Sequence, residues 1–144
     1  MEQFKFYKER LRASGLRPTK QRLAICKILF DRKETFHFTI EKLRKIIEKD
    51  SRKKISLATL YNTIHAFKKR GYLKEISLKG NKTFFDTNTK NHHHFYDEDS
   101  SQLIDIKKEN FLINNLPSAP SGKKIKDIEI VIRVASNNQT QKNY

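Results

Sequence analysis

The spacing of apolar residues changes at Gly71, and that change limits the fold classes open to the chain. Before it, apolar side chains recur every three or four positions: Phe4, Tyr7 and Leu11; Leu43, Ile46 and Ile47; Leu57, Leu60, Ile64 and Phe67. Such spacing gathers them on one face of a helix. After it, Leu73–Leu78 and Thr83–Asp86 read as strands joined by Lys79-Gly80-Asn81-Lys82, and Ile128, Ile130, Ile132 and Val134 alternate with Glu129, Val131 and Arg133. Alternation gives a strand one apolar face. Helices followed by strands make an α+β chain.

Local signals bound the helices. The first ends at Ser14-Gly15, and Pro18, whose missing N–H costs nothing at a helix start, introduces a second over roughly 19–31. Thr39 caps a third helix with Glu41 in its first turn, a lysine-rich connector covers 50–54, and Ser56 caps a fourth helix over 57–70. On that fourth helix Ala58, Thr59, Asn62 and Thr63 fall off the apolar stripe, and all are small or polar. A solvated helix normally carries long charged residues there. Short hydrogen-bonding side chains suit a helix that lies in a major groove and reaches base edges; the bland alternative is an ordinary surface helix. With the hairpin, the helices form a winged helix-turn-helix over 1–86. Its wing lysines, Lys79 and Lys82, are placed to meet phosphate, while the helix that starts at Ser56 reads the groove.

Charge is concentrated in the same half. The 144 residues carry a net +15; residues 1–86 hold 23 Lys and Arg against 9 Asp and Glu, whereas residues 87–144 hold 8 against 7. A basic domain of this kind fits a polyanion such as double-stranded DNA. Hydrophobic residues make up 36% of the chain and mean hydropathy is −0.78, so the core is modest and dimerisation would bury more surface. The one cysteine, Cys26, sits among Ile25, Ile28 and Leu29 as a small buried thiol, which leaves no disulfide framework and no Cys-x-x-Cys zinc clamp. Met1–Arg12 alternates charges with aromatics, unlike a signal peptide, and no apolar run approaches the ~18 residues of a membrane span. The expectation is a cytoplasmic protein with no membrane partner.

The second half reads as a small α/β domain over 87–135: strands at His92–Tyr96 and Leu103–Ile106, a short helix over Glu109–Leu116, then the alternating strand. So small a sheet cannot cover its own apolar face, which predicts a homodimer with that face as the seam. The polar residues 136–144 read as a disordered tail. Within the run His92-His93-His94, strand alternation puts His92 and His94 on one face and His93 on the other. Two imidazoles about 7 Å apart at Cα, twice the strand rise, can grip one cation or flank a haem iron. Iron, manganese and zinc all suit mixed imidazole and carboxylate donors; a solvated strand start is the alternative. No nucleophile–base–acid set and no phosphate-cradling glycine loop accompany them, so an enzyme is not expected.

The segments Gly15-Leu-Arg-Pro-Thr-Lys-Gln-Arg22 and Ser56-Leu-Ala-Thr-Leu-Tyr-Asn-Thr63 resemble the ferric uptake regulator (Fur) superfamily. Phe85-Asp-Thr-Asn88, His92-His-His-Phe-Tyr96 and Leu103-Ile-Asp-Ile106 are similar to its Irr branch, the iron and haem response regulators. The resemblance spans roughly residues 10–135. It implies a homodimeric regulator that binds inverted-repeat DNA and answers iron status through a divalent metal or haem. Carried onto this chain, it makes Tyr61 a base contact with Asn62 beside it. Arg17 becomes the side chain inserted in an A/T-rich minor groove, and Thr19, Gln21 and Arg22 become phosphate contacts. It assigns His37, Asp86 and His93 to a regulatory metal site between the two halves, with one further histidine falling on Phe95. His92 and His94 go to a second metal or haem contact whose later glutamate falls on Leu112. The family's Cys-x-x-Cys zinc pairs, and hence a four-cysteine zinc site, are absent. The alternatives are a ferrous or manganese sensor without haem, and a non-specific nucleic-acid-binding protein with incidental metal binding.

Overall fold

Three of the helices begin on a hydroxyl that satisfies a loose backbone N–H, and one of them ends on a glycine. A computed structural model of the chain describes residues 2–51, 54–80 and 82–137. Helix α1 spans Glu2–Ala13, α2 Lys20–Phe30, α3 Ile40–Ser51 and α4 Leu57–Arg70. The hydroxyls of Thr19, Thr39 and Ser56 accept hydrogen bonds from the backbone N–H groups of Arg22, Lys42 and Thr59, as an N-cap should. Gly71 ends α4 at φ 90°, a left-handed conformation that costs glycine nothing, and its N–H returns to the carbonyl of Lys68.

The chain divides into two compact units, residues 1–89 and the residues from Lys90 onward. In the first, the helices close over Leu11, Ile25, Leu43, Leu60, Ile64 and Phe67, all fully buried. The hairpin strands β2 (Lys74–Leu78) and β3 (Lys82–Asp86) pair antiparallel. A two-residue strand with no signature in the sequence, β1 (His37–Phe38), adds to the other side of β3. The register sets His37 against Asp86 and Phe38 against Phe85. Helix α4 departs from the expected stripe at two positions. Leu57 is 44% exposed, whereas Thr63 is fully buried, its hydroxyl donating to the Thr59 carbonyl at 2.7 Å. That hydrogen bond is what lets a polar side chain enter the core.

The second unit is a three-stranded sheet with β4 (His94–Asp97) in the middle, antiparallel to β5 (Gln102–Asp105) and parallel to β6 (Val131–Val134). The expected helix over Glu109–Leu116 is reduced to one 3-10 turn, Lys108–Asn110, after which the chain runs irregularly to β6. Asn114-Asn115 and Pro117 interrupt that stretch, and Leu112 and Leu116 find no face to cover. Few apolar side chains are buried here: Tyr96, Leu103 and Ile106 among those described. Ser136, expected in a disordered tail, donates from its N–H to Asp99 Oδ2 at 2.6 Å, tying the end of β6 to the β4–β5 turn. Residues 138–144 of that tail lie outside the described residues. No described helix is long and apolar enough to cross a membrane.

Candidate functional site

Two chemistries are concentrated in separate places. The first is the outer face of α4, where Ser56, Ala58, Tyr61, Asn62 and His65 are exposed. Tyr61 is 44% exposed, and its ring lies nearly parallel to that of His65 one turn on, centroids 5.9 Å apart. Thr59 is half-buried. Lys79 and Lys82 flank the hairpin turn and are exposed. At the start of α2, Arg17, Thr19 and Gln21 are exposed; Arg22 is half-buried and its Nη1 donates to the Arg17 carbonyl at 2.9 Å. The sequence-predicted DNA contacts of the first unit thus split. Tyr61, Asn62, Arg17, Gln21 and the wing lysines present their side chains outward, while the hydroxyls of Thr19 and Ser56 are engaged as helix caps.

The second chemistry is imidazole beside carboxylate, and it occurs in both units. In the first, the β1–β3 register brings His37 Nε2 to 3.3 Å from Asp86 Oδ2. Asp86 is fully buried, and its other oxygen accepts the Asn88 N–H at 2.8 Å, which fixes the carboxylate plane. In the second, the β4–β5 register sets His94 against Asp105, and His94 Nε2 lies 3.2 Å from Asp105 Oδ1. His92 Nε2 comes to 3.4 Å from the same oxygen, and the two imidazole centroids are 4.3 Å apart. His92 Nδ1 faces the Lys90 carbonyl at 2.6 Å, an arrangement that leaves Nε2 as the donor atom. Ligand atoms that share one ion at 2.0–2.2 Å lie roughly 3.0–3.4 Å from each other. Both sets show that spacing, and the donor chemistry fits a divalent transition metal.

His93 is placed differently from the expected regulatory ligand. Its Nδ1 accepts the Ile130 N–H at 3.1 Å, and its ring packs on Phe111 with centroids 4.6 Å apart. It holds the approach to β6 against the start of β4. Phe95 lies half-buried in the middle of β4, and Leu112 is 82% exposed. Asp105 is a donor that the sequence pattern does not single out, although it stands in the run Leu103-Ile-Asp-Ile106, exposed between Ile104 and the buried Ile106. Cys26 is fully buried, and desolvation pushes its thiol pKa up to about 12.

A family model described as the ferric uptake regulator family matches residues 13–133. The peroxide-responsive repressor PerR of Staphylococcus aureus (strain Mu50 / ATCC 700699) is 34% identical over 96 residues, 67% of this chain and 63% of the relative. The match therefore spans less than two thirds of that curated relative. The Vibrio cholerae ferric uptake regulator has a similar structure, at TM-score 0.67 and 22% identity over 90% of this chain and 98% of that one. So does a Helicobacter pylori ferric uptake regulator described as having three functional metal binding sites, at TM-score 0.65 and 14% identity over 98% and 96%. A zinc-bound manganese uptake regulator follows at TM-score 0.63 and 21% identity over 90% and 98%.

Proposed function

The chain belongs to the ferric uptake regulator family, and from that premise we propose that it is a metal-dependent transcription regulator that binds operator DNA as a dimer. The observation that carries this reading is the pair of imidazole–carboxylate sets. His37 with Asp86 offers two donors and His92 with His94 and Asp105 offers three, each set at ligand-like spacing, and three protein donors hold a divalent ion that completes its shell with water. A divalent ion on the His92–His94–Asp105 set, or on the His37–Asp86 pair, would order the strands that carry those donors. An ion that binds one arrangement of these strands better than another shifts the equilibrium towards it, and DNA affinity changes with occupancy. Iron and manganese accept such mixed nitrogen and oxygen donors at five or more positions, while zinc favours four. In this reading Asp105 and the His92–His94 pair take the place that the family resemblance gives to His93.

Haem, and with it the Irr branch, is the poorer fit. A porphyrin ligated by both His92 and His94 would have to slip between rings 4.3 Å apart that already meet at one carboxylate oxygen. A bare ion needs no such gap. A peroxide response is the second reading, favoured by relatives named peroxide-responsive repressors. Reactive cysteines are exposed thiolates, and Cys26 is buried with a pKa of about 12. Any response to peroxide would run through the bound ion instead.

The test is DNA affinity as a function of metal. Protein stripped of metal and titrated with Mn²⁺ should gain affinity for a palindromic duplex selected from a random pool, and His94→Ala or Asp86→Ala should lose that gain. Equal affinity for selected and random duplexes would leave only a non-specific nucleic-acid binder. For the second reading, hydrogen peroxide should release DNA from the ferrous form and spare the manganous form, with Cys26→Ser behaving as wild type.

A further inference from the structure

The residues next to the first unit's metal donors form a line of rings that ends on the exposed face of α4. His37 is followed by Phe38 and Asp86 is preceded by Phe85, and the register that faces His37 to Asp86 also faces Phe38 to Phe85. Those two phenyl rings stack with centroids 5.7 Å apart and planes inclined by 27°. Phe85 then meets His65 of α4 edge to face, centroids 6.1 Å apart at 84°. His65 lies nearly parallel to Tyr61, at 5.9 Å and 14°.

We propose that His65 is a positioning residue that couples the His37–Asp86 pair to Tyr61, so that metal occupancy sets the orientation of the ring that reads DNA. This rests on the reading of α4 as the DNA-contacting helix and of His37 and Asp86 as metal donors. Phe85 and Asp86 are adjacent on one strand, so an ion that shifts the backbone at Asp86 shifts Phe85 with it. Phe85 is 2% exposed and Phe38 fully buried, and a close-packed interior has no void to absorb the displacement. The neighbour that can yield is His65, which is packed on its inner side and exposed on its outer one. Tyr61 rests on that imidazole at i,i+4 spacing. Moving His65 therefore changes the rotamer space of the exposed phenol without requiring α4 itself to shift. Of the exposed α4 side chains within a turn of Tyr61, namely Leu57, Ala58, Asn62 and His65, only the imidazole offers the phenol a flat ring.

The full chain, as wild type, His65→Ala and His65→Phe, is assayed on the palindrome that the wild type selects and on a random duplex. Affinities are measured with saturating Mn²⁺ and with the metal chelated, and Mn²⁺ affinity is measured without DNA. His65→Ala is expected to shrink the metal-dependent gain in palindrome affinity about two- to tenfold, the scale of one aromatic pair, with Mn²⁺ affinity unchanged. His65→Phe, which keeps a ring at that place, should restore most of the gain. An unchanged gain in His65→Ala overturns the coupling. So does an equal loss with and without metal, which marks His65 as a direct DNA contact, and so does a His65→Phe as impaired as the alanine variant. If the wild type itself shows no gain, the metal-dependent regulator reading fails and the coupling falls with it.

Discussion

Single side chains carry the DNA and redox arguments. Tyr61 has its ring half out of the α4 surface, with no core role to lose, so Tyr61→Ala should leave the thermal midpoint near wild type. It should cost about 1–3 kcal/mol of binding to the selected palindrome, the usual worth of a base contact, and little on random duplex. Equal losses on both would remove Tyr61 from base reading. Cys26 offers a second check. Burial raises its pKa from 9.0 to about 12, so the neutral thiol is favoured by the fold. A raised pKa contributes stability that is complete below the unfolded value and is lost as pH climbs from about 9 towards about 12. At pH 8 the native thiol should therefore resist a disulfide reagent that titrates it at once in urea.

Elements form here for reasons that differ in range, and that difference decides what is legible in the sequence. The helices are announced by their own residues: Thr19, Thr39 and Ser56 cap starts, and Gly71 caps an end. Ser56→Ala should thus cost about 1 kcal/mol of stability in chemical denaturation, by stripping the Thr59 N–H of its acceptor. The wing lysines follow a different rule. Lys79→Ala should weaken every duplex alike and flatten the dependence of affinity on salt by about one released counterion. Alternation is also a local signal, and it is enough to put His92 and His94 on a common face. Long-range pairing leaves no such mark. Strand β1 is only His37–Phe38, too short to show a period, and exists because it finds Asp86 and Phe85 across the sheet. Asp105 becomes a neighbour of His94 through the β4–β5 register, and His93 finds its backbone donor, Ile130, 37 residues away. Thr63 reads as solvent-facing because it is short and polar, yet a hydrogen bond within its own helix satisfies it.

At the scale of the whole molecule, the second unit is under-covered. Among its described residues only a few apolar side chains are buried, while Ile104, Leu112, Leu116, Ile125, Ile132 and Val134 stand 37–82% exposed. Among the described residues strand β6 is also an edge, paired to β4 on one side only, and it carries Ile132 and Val134 exposed. An apolar strand left at a sheet edge invites another chain, and a symmetric dimer closes it by presenting the same patch from both copies. The expected seam of Ile128, Ile130, Ile132 and Val134 is consistent with that need. The two exposed members, Ile132 and Val134, are the better probes, since a change at them disturbs association before it disturbs the fold. Ile132→Lys would place an unpaired charge in the proposed seam. Sedimentation should then show monomers where the wild type sediments as a dimer, with the circular dichroism spectrum of each subunit preserved. Palindrome affinity should drop to that of a half-site, because two recognition helices would no longer arrive on one face of the duplex. A dimer of undiminished stability carrying that lysine would move the interface off β6, with Leu112, Leu116 and Ile125 the next positions to substitute.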